Sequence, residues 1–520
     1  MSDEPLPPAR RMNRYAAALL AIVALLLAAD RARLLAQFGF KYTDQDQALL
    51  WYASEEVAHG RWHEPCFYGQ SYNVPVEAWL AAPAVALGAP PRYALPLTAC
   101  ALGLLPFALL SAHAARHGRG GAAAVILLIP LALPLEHAIV TSIPRAFVPG
   151  LAVGAVACVL LMARGSRFAL YLGALMAVLA VTIGATAALL VAPVALYAVL
   201  RHITRPACLL AGLAGAINAL PAPLAMAHFY KVYPERDLHP KPTPTFSYEL
   251  LHRLPDRLDL LFGHFVPFGG PGWAALAALL VMVAVLLGCR RYLAAIAALV
   301  AVALVVAATG VSRTLDGGPW VFLSASRFFL AVPVLLAVCV AWADPDRHHR
   351  WLGKVGTGVI AVLLMAGVVA GLAKHRHFDE VVDAATSRQG GIFVRSVDEL
   401  QELADRLALL SQQHDAPLVL FSSYADLTEV YALPSLTARR VETLFPRDDR
   451  RSWLMTAEST RVRGHLLLYA EREPWLAQQA LRASAAAERV SSAPVIIRID
   501  PAGQPAIEVA ERLGISVRPF

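Results

Sequence analysis

The chain has 520 residues, of which 58% are hydrophobic and 16% are charged, and its formal net charge is +7. Soluble domains carry about 25% charged residues, so this composition excludes a chain built only of soluble domains. The Lys and Arg residues lie in short loops between apolar runs and form no single basic patch, which argues against a nucleic-acid partner.

Apolar runs of near membrane-spanning length begin close to the N-terminus. A span needs about 20 mostly apolar residues, and we predict about eleven transmembrane helices. The first is uncleaved, because Asp30 and Arg31 follow it where a signal peptide would have a small-residue cleavage site. Residues 168–200 form either two short spans or one re-entrant hairpin. The predicted spans lie near residues 15–35, 93–113, 121–138, 146–163, 168–182, 184–200, 207–227, 272–288, 291–309, 326–343 and 355–373.

Basic residues mark alternate loops between these runs. Cytoplasmic loops carry the excess of Lys and Arg, so the N-terminus is predicted to be cytoplasmic. An odd number of spans then puts the C-terminal residues outside, which in a bacterial inner membrane means the periplasm. The residues that define this orientation are Arg116, Arg119, Arg164, Arg167, Arg201, Arg205, Arg290, Arg291, Arg347, Arg350 and Lys354.

The polar chemistry is concentrated on the predicted outer face, while the spans are almost free of charge. A carrier or channel usually keeps ionisable residues among its spans, so this distribution favours an enzyme or binder that acts at the outer surface. We predict a transmembrane domain over residues 1–375 with outer loops at 36–92 and 228–271. A soluble extracytoplasmic α/β domain follows at 376–520.

The first outer loop opens with an acidic pair, Asp44 and Asp46, before a helix predicted over Gln47–Ala58. Glu55 and Glu56 are expected to face solvent, opposite the apolar stripe of this helix. The spacing Asp44-x-x-Gln47 is also typical of a capping box, so either carboxylate could serve only the helix. Together the pair could bind a divalent cation through oxygen ligands, but two carboxylates are too few for a dedicated site.

The remainder of the loop is rich in aromatic and polar residues. A second short helix is predicted over Val76–Leu87. Trp51, Tyr52 and Trp62 are expected at the lipid–water interface, which such side chains favour. Three further residues could line an acceptor groove or could tie the loop down: Tyr68, Gln70 and Glu77.

The C-terminal residues alternate strand and helix patterns, which predicts a small α/β layer structure. Ser396-x-x-Glu399 is typical of a capping box at the start of its first helix. We expect this domain to be structural or to dock the acceptor. Strands are predicted over 417–422, 464–469 and 494–499, and helices over 396–412, 425–432, 474–489 and 505–513.

Three stretches resemble the GT-C superfamily of membrane glycosyltransferases, in its protein mannosyltransferase and aminoarabinose transferase-like branch. They are D-Q-A-x-x-x-Y-A (Asp46–Ala53), F-Y-G-Q-x-Y-x-x-x-x-E-A-x-L-A-A-P-x-x-x-L-G (Phe67–Gly88) and S-R-F-F-L-A-V-P (Ser326–Pro333). The resemblance implies a catalytic acidic residue, a sugar donor on a polyprenyl phosphate, and reaction outside the cell membrane. A typical member has Asp-Glu where this chain has Asp46-Gln47, so the counterpart is either Asp44 or Asp46.

The chemistry of such a transfer has two requirements. A base must take a proton from the acceptor, which a carboxylate can do, and cations must stabilise the leaving phosphate. Arginine suits the second task because its planar fork matches phosphate oxygens, although anchoring at the membrane interface also explains such residues. The candidate cations on the outer face are Arg327, Arg313, Lys231, Lys241 and Arg145.

The sequence therefore predicts a cell-envelope glycosyltransferase. Its partners would be membrane lipid, a polyprenyl-phosphate sugar as donor, and a glycan, lipid or protein acceptor. No cofactor is expected beyond the donor. Two alternatives stay open: a lipid or polysaccharide carrier or flippase without chemistry, and a catalytically inactive scaffold of GT-C shape.

Overall fold

The structure is a computed structural model. It describes residues 14–163, 166–237, 244–266, 270–315, 325–343, 366–386, 394–421, 426–437, 442–444, 464–470, 474–483, 487–500 and 502–515. The chain forms two compact units. The first comprises Met1–Gly39, Pro96–Ala225 and Pro242–Ala385, and the second comprises Phe40–Leu95, Met226–Lys241 and Thr386–Phe520.

Helices dominate the described part of the chain. In chain order they are α1 (Arg14–Leu34), α2 (Gln45–Ala58), α3 (Val76–Ala86), α4 (Pro91–Arg116), α5 (Gly120–Ala132), α6 (Leu135–Val140), α7 (Pro149–Met162), α8 (Arg167–Ile183), α9 (Ala188–His202), α10 (Pro206–Ala219), α11 (Pro221–Val232), α12 (Tyr248–His252), α13 (Leu254–Phe262), α14 (Trp273–Gly288), α15 (Tyr292–Thr309), α16 (Ala331–Trp342), α17 (Phe378–Thr386), α18 (Val397–Gln413), α19 (Leu427–Leu436), α20 (Pro474–Ala483) and α21 (Ala506–Arg512).

The predicted polytopic helical fold is confirmed. Among the described residues, five stretches are long and apolar enough to cross a membrane: Pro91–Arg116, Ala185–His202, Pro206–Val232, Tyr292–Thr309 and Ala325–Trp342. The helices α3, α5, α7, α8 and α14 are apolar but shorter. The predicted last span, 355–373, lies largely outside the described residues, and its end at 366–373 is helical.

Glycines allow the helices of the first unit to pack closely. The helix α8 packs against both α7 and α10. A Cβ on Gly215 in α10 would collide with the carbonyl oxygen of Tyr171 in α8. A Cβ on Gly150 in α7 would come within 2.9 Å of the carbonyl oxygen of Ala180. Larger residues at these two positions would therefore force the helices apart.

The membrane orientation remains a prediction from loop charge, and a fusion experiment tests it. Alkaline phosphatase, which is active only outside the cytoplasm, should be active when fused after residue 390. It should be inactive when fused after residue 203, in a loop that carries Arg201 and Arg205. Colony activity normalised to fusion protein level is the measurement. The opposite pattern would invert the orientation and remove the outer-face assignment of every candidate residue.

The second unit contains the described strands, which are β1 (Tyr42–Thr43), β2 (Arg395–Ser396), β3 (Leu418–Phe421), β4 (Glu442–Leu444), β5 (Leu466–Tyr469), β6 (Glu488–Ser492) and β7 (Val495–Ile499). Five of them form a sheet of order β4-β3-β5-β7-β6 in the C-terminal part of the unit. The strands β4, β3 and β5 run parallel, and β7 and β6 complete the sheet in antiparallel pairing. A short separate pair, β1 with β2, is antiparallel.

The predicted α/β layer structure is confirmed, with two corrections. The helix predicted over 474–489 ends at Ala483, and residues 488–492 form the edge strand β6, which pairs with β7. The predicted capping box at Ser396 is wrong, because this side chain makes no cap hydrogen bond. Its backbone instead belongs to β2, in register with Tyr42 of β1. At Ser396, pairing with a strand distant in sequence replaced the local helix-capping pattern, and at residues 488–492 pairing with the next strand replaced the helical pattern.

Candidate functional site

The two predicted carboxylates at the start of α2 have different environments. Asp44 is the N-cap residue, with extended backbone (φ −130°, ψ 177°), and its carboxylate accepts a hydrogen bond of 2.9 Å from the backbone N–H of Gln47. Its side chain is fully buried. The capping interpretation is therefore confirmed for Asp44. Asp46 lies in the first turn of α2 and is partly exposed.

The difference in exposure between Asp44 and Asp46 indicates which of them can act as a general base and which only caps the helix. A general base must come within hydrogen-bond reach of the proton it takes, and a fully buried cap carboxylate such as Asp44 is poorly placed for that task. Asp46 is accessible, and it lies where the partial positive charge of the helix N-terminus favours an ionised carboxylate. Of the pair, the geometry therefore favours Asp46 as the reactive group.

The expectation that Glu56 faces solvent is wrong. Its carboxylate is 1% exposed and accepts hydrogen bonds from the Arg61 guanidinium, with Nε to Oε2 at 2.6 Å. The Nε2 atom of His63 lies 3.0 Å from the same oxygen. The chain therefore folds back after Gly60, where φ is +75°, and covers this carboxylate with two basic side chains.

The interfacial placement of Trp51 and Tyr52 is also wrong, because each is only 2% exposed. The helix α2 packs against both α3 and α19, so more than one of its faces is covered. Trp62 stays exposed at 56%, and its ring lies 4.5 Å from that of Trp79. The helical periodicity of α2 identified one buried face, but contacts within the unit bury a second.

The loop after α2 is held by a carboxylate that sequence analysis did not single out. Glu64 is 2% exposed and accepts hydrogen bonds from the backbone N–H of Gly69 and from the Tyr230 hydroxyl, each at 3.0 Å. The backbone N–H of Ser71 donates to Asp237 at 3.1 Å. Glu64 and Tyr230 are 166 residues apart in sequence, and so are Ser71 and Asp237. No local pattern could therefore have indicated either contact.

The three residues proposed for an acceptor groove lie in and after this loop. Tyr68 and Glu77 are buried, with 5% and 0% exposure, whereas Gln70 is partly exposed. The ring of Tyr68 packs edge-on against His63 at 6.1 Å. Burial favours a structural role for Tyr68 and Glu77, and Gln70 is the accessible member of the three.

Within the first unit, two of the predicted phosphate-binding residues meet at one aromatic ring. The guanidinium of Arg145 lies 5.5 Å from the centre of the Phe147 ring, and that of Arg327 lies 5.9 Å from it. Arg327 also stacks on Phe328 at 4.4 Å. Arg145 is buried, at 4% exposure, whereas Arg327 is partly exposed, so Arg327 is the more accessible cation of the two.

The other predicted cations are placed differently. Arg313 is in a 3-10 turn, Ser312–Leu315, that packs against the turn Ala325–Phe329, which carries Arg327. Lys231 is exposed at the end of α11, in the second unit. Lys241 lies outside the described residues.

A partly buried histidine, His264, supports the turn that carries Arg327. Nδ1 of His264 lies 2.9 Å from the hydroxyl oxygen of Ser326, the residue before Arg327. Burial lowers the pKa of His264, while the carboxylate of Glu136 acts in the opposite direction. The imidazole therefore stays neutral near pH 7 and can hold Ser326 without adding a third positive charge. Sequence analysis missed this contact because its two residues lie in separate loops.

Among the described residues, no group of three or more His, Cys, Asp or Glu side chains could hold a metal ion. The expectation that the protein needs no resident metal stays a prediction.

Comparison with known proteins gives a likeness in structure and none in sequence. No family model and no curated protein sequence matches the chain. Among solved structures, ArnT from Cupriavidus metallidurans in the apo state is similar, with a TM-score of 0.58 and 14% sequence identity. The similarity covers 93% of this chain and 97% of that one. The chain is therefore a polytopic membrane protein with an ArnT-like fold.

Proposed function

We propose that the protein is a membrane glycosyltransferase that moves a sugar from a polyprenyl-phosphate carrier to a glycan, lipid or protein acceptor on the outer face of the membrane. The observation that carries this proposal is the likeness to ArnT over 93% of the chain. The accessible carboxylate at the start of α2 and the arginine pair at Phe147 support it, because they supply the two kinds of group that the transfer requires.

The proposed mechanism gives each of these groups one role. Asp46 takes the proton of the acceptor hydroxyl or amine, and the acceptor atom attacks the anomeric carbon of the sugar. The bond from that carbon to the phosphate oxygen breaks, and its electron pair leaves with the polyprenyl phosphate. Arg327 and Arg145 stabilise the charge that develops on the phosphate. A lipid-linked donor carries its own activation, so no nucleotide is needed outside the cell membrane.

A reconstitution experiment tests the proposal against its alternatives. The protein in proteoliposomes would be supplied with undecaprenyl phosphate carrying a radiolabelled sugar, from a panel that includes aminoarabinose, together with envelope glycolipid as acceptor. Label should move to the acceptor, and an equal amount of undecaprenyl phosphate should appear. Label that crosses the bilayer while still on its carrier would indicate a flippase, and no change with any donor would indicate an inactive scaffold.

A further inference from the structure

A groove on the first unit is lined by none of the residues assigned to the transfer chemistry. It has a volume of about 170 Å³ and runs between the C-terminal half of α1 and the helical residues 366–373. Its apolar lining includes Leu26, Leu131, Val368 and Leu372. Leu372 is 67% exposed beside the groove, as expected of a surface that borders on lipid.

Buried charges fix one end of this groove. Nζ of Lys374 lies 2.9 Å and 3.0 Å from the two carboxylate oxygens of Asp30, and Nε2 of His375 lies 2.9 Å from one of them. The side chains of Asp30, Lys374 and His375 are 4%, 6% and 6% exposed. Asp30 and His375 line the groove directly. Because these ion pairs and hydrogen bonds join α1 to the opposite wall, contacts within the unit fix the shape of the groove.

Close helix packing fixes the other wall. A Cβ on Gly371 would come within 2.8 Å of the Leu131 side chain and 3.2 Å of the Leu131 carbonyl oxygen, so a larger residue would displace Leu131 or move residues 366–373 away from α5. The groove therefore keeps its width through packing as well as through ion pairs.

The charged end has an excess of positive charge. Asp30 is one carboxylate, and around it stand Arg31 at 3.6 Å and Lys374, with Arg33 on the groove lining. Arg33 is exposed, and its Nε donates to Gln37 at 3.1 Å. In the described part of the chain, its two Nη atoms have no hydrogen-bond acceptor, so they are available to an anion.

We propose that this groove binds one anionic glycerophospholipid of the surrounding membrane, with an acyl chain along the apolar lining and the phosphate on Arg33. A groove that is apolar at one end and cationic at the other complements an amphiphile with an anionic headgroup. A cavity of about 150 Å³ is enough for benzene, so this groove takes a segment of about six carbons of the chain.

Native mass spectrometry of the detergent-purified protein tests the site. Palmitoyl-oleoyl phosphatidylglycerol is the probe, and the phosphatidylcholine with the same chains is the comparison. Ala29→Trp would fill the groove, which Ala29 lines, and should weaken retention of one phosphatidylglycerol molecule at least tenfold. Ala28→Trp is the matched control, because Ala28 is exposed on the same helix but does not line the groove.

A second variant keeps the test independent of groove filling. Arg33→Gln changes an exposed residue, so folding is preserved, and it should abolish the preference for phosphatidylglycerol over phosphatidylcholine. Equal retention by Ala29→Trp and Ala28→Trp would overturn the proposal, as would an unchanged preference in Arg33→Gln. Displacement of phosphatidylglycerol by an equimolar amount of undecaprenyl phosphate would also overturn it, because the groove would then belong to the donor lipid.

Discussion

Asp46→Asn is expected to lower the transfer rate by about 10²–10⁴-fold, the range that loss of a general base typically costs. The amide keeps the size of the side chain in the first turn of α2 but cannot accept the acceptor's proton at neutral pH. Folding should be unaffected, because the cap hydrogen bond of α2 comes from Asp44. Initial transfer rates at saturating donor, together with the melting temperature, are the measurements.

Asp44 provides the matched control for this experiment. Asn is as good an N-cap as Asp, so Asp44→Asn should keep both stability and transfer near the parental values. Asp44→Ala should lower the free energy of unfolding by about 1 kcal/mol while the rate per folded molecule is retained. Near-parental transfer by Asp46→Asn, or an equal loss in Asp44→Asn, would contradict the assignment of Asp46 as the base.

Local sequence signals were sufficient where the partners are close along the chain. The cap at Asp44 was predictable because the accepting carboxylate and the donating N–H are three residues apart. The strands β3, β5 and β7 were predictable because they are short apolar runs between helical patterns. The helical spans were predictable because a bilayer demands long apolar runs whatever lies around them.

Contacts that the helix and strand periodicities do not encode decided the remainder. Glu56 is polar and lies opposite an apolar stripe, yet it is buried because Arg61 and His63 return to it after the turn at Gly60. The edge strand β6 has a single strongly apolar residue, Val490, and forms because β7 supplies its pairing. The meeting of Arg145 and Arg327 at Phe147 joins separate loops of the first unit, which no periodicity encodes.

Arg327→Ala is expected to lower kcat/KM for the lipid donor by about 10- to 100-fold, because hydrogen bonds to a charged group contribute about 1.5–3 kcal/mol. The Arg327→Lys variant distinguishes anchoring at the membrane interface from phosphate binding. An ammonium anchors at the interface as readily as a guanidinium, but it cannot make the bidentate phosphate contact or stack on Phe328 in the same way. If Arg327 binds phosphate through its fork, the Lys variant should therefore raise KM for the donor although the charge is kept.

Arg92 is the control for this substitution. It also stacks on an aromatic ring, that of Tyr93 at 4.9 Å, and donates a hydrogen bond to Gln401. It has no predicted contact with phosphate, so Arg92→Lys should leave donor kinetics unchanged. Parental kinetics in both Arg327→Lys and Arg327→Ala would remove Arg327 from the phosphate site. A loss in the Ala variant alone would mean that charge matters and the geometry of the fork does not.

Because Arg145 and Arg327 both lie over the Phe147 ring, a double-variant experiment can test whether they bind the same phosphate. If Arg145 and Arg327 hold one phosphate, removing either weakens the same contact, so the effects of Arg145→Ala and Arg327→Ala on donor kcat/KM should not add. Residues that share a ligand typically show interaction energies of about 0.5–3 kcal/mol in such a cycle. The measurement is donor kcat/KM for the parent, both single variants and the double variant. Losses that add to within about 0.5 kcal/mol would mean that the two arginines act on different groups, and the phosphate would then be assigned to one of them alone.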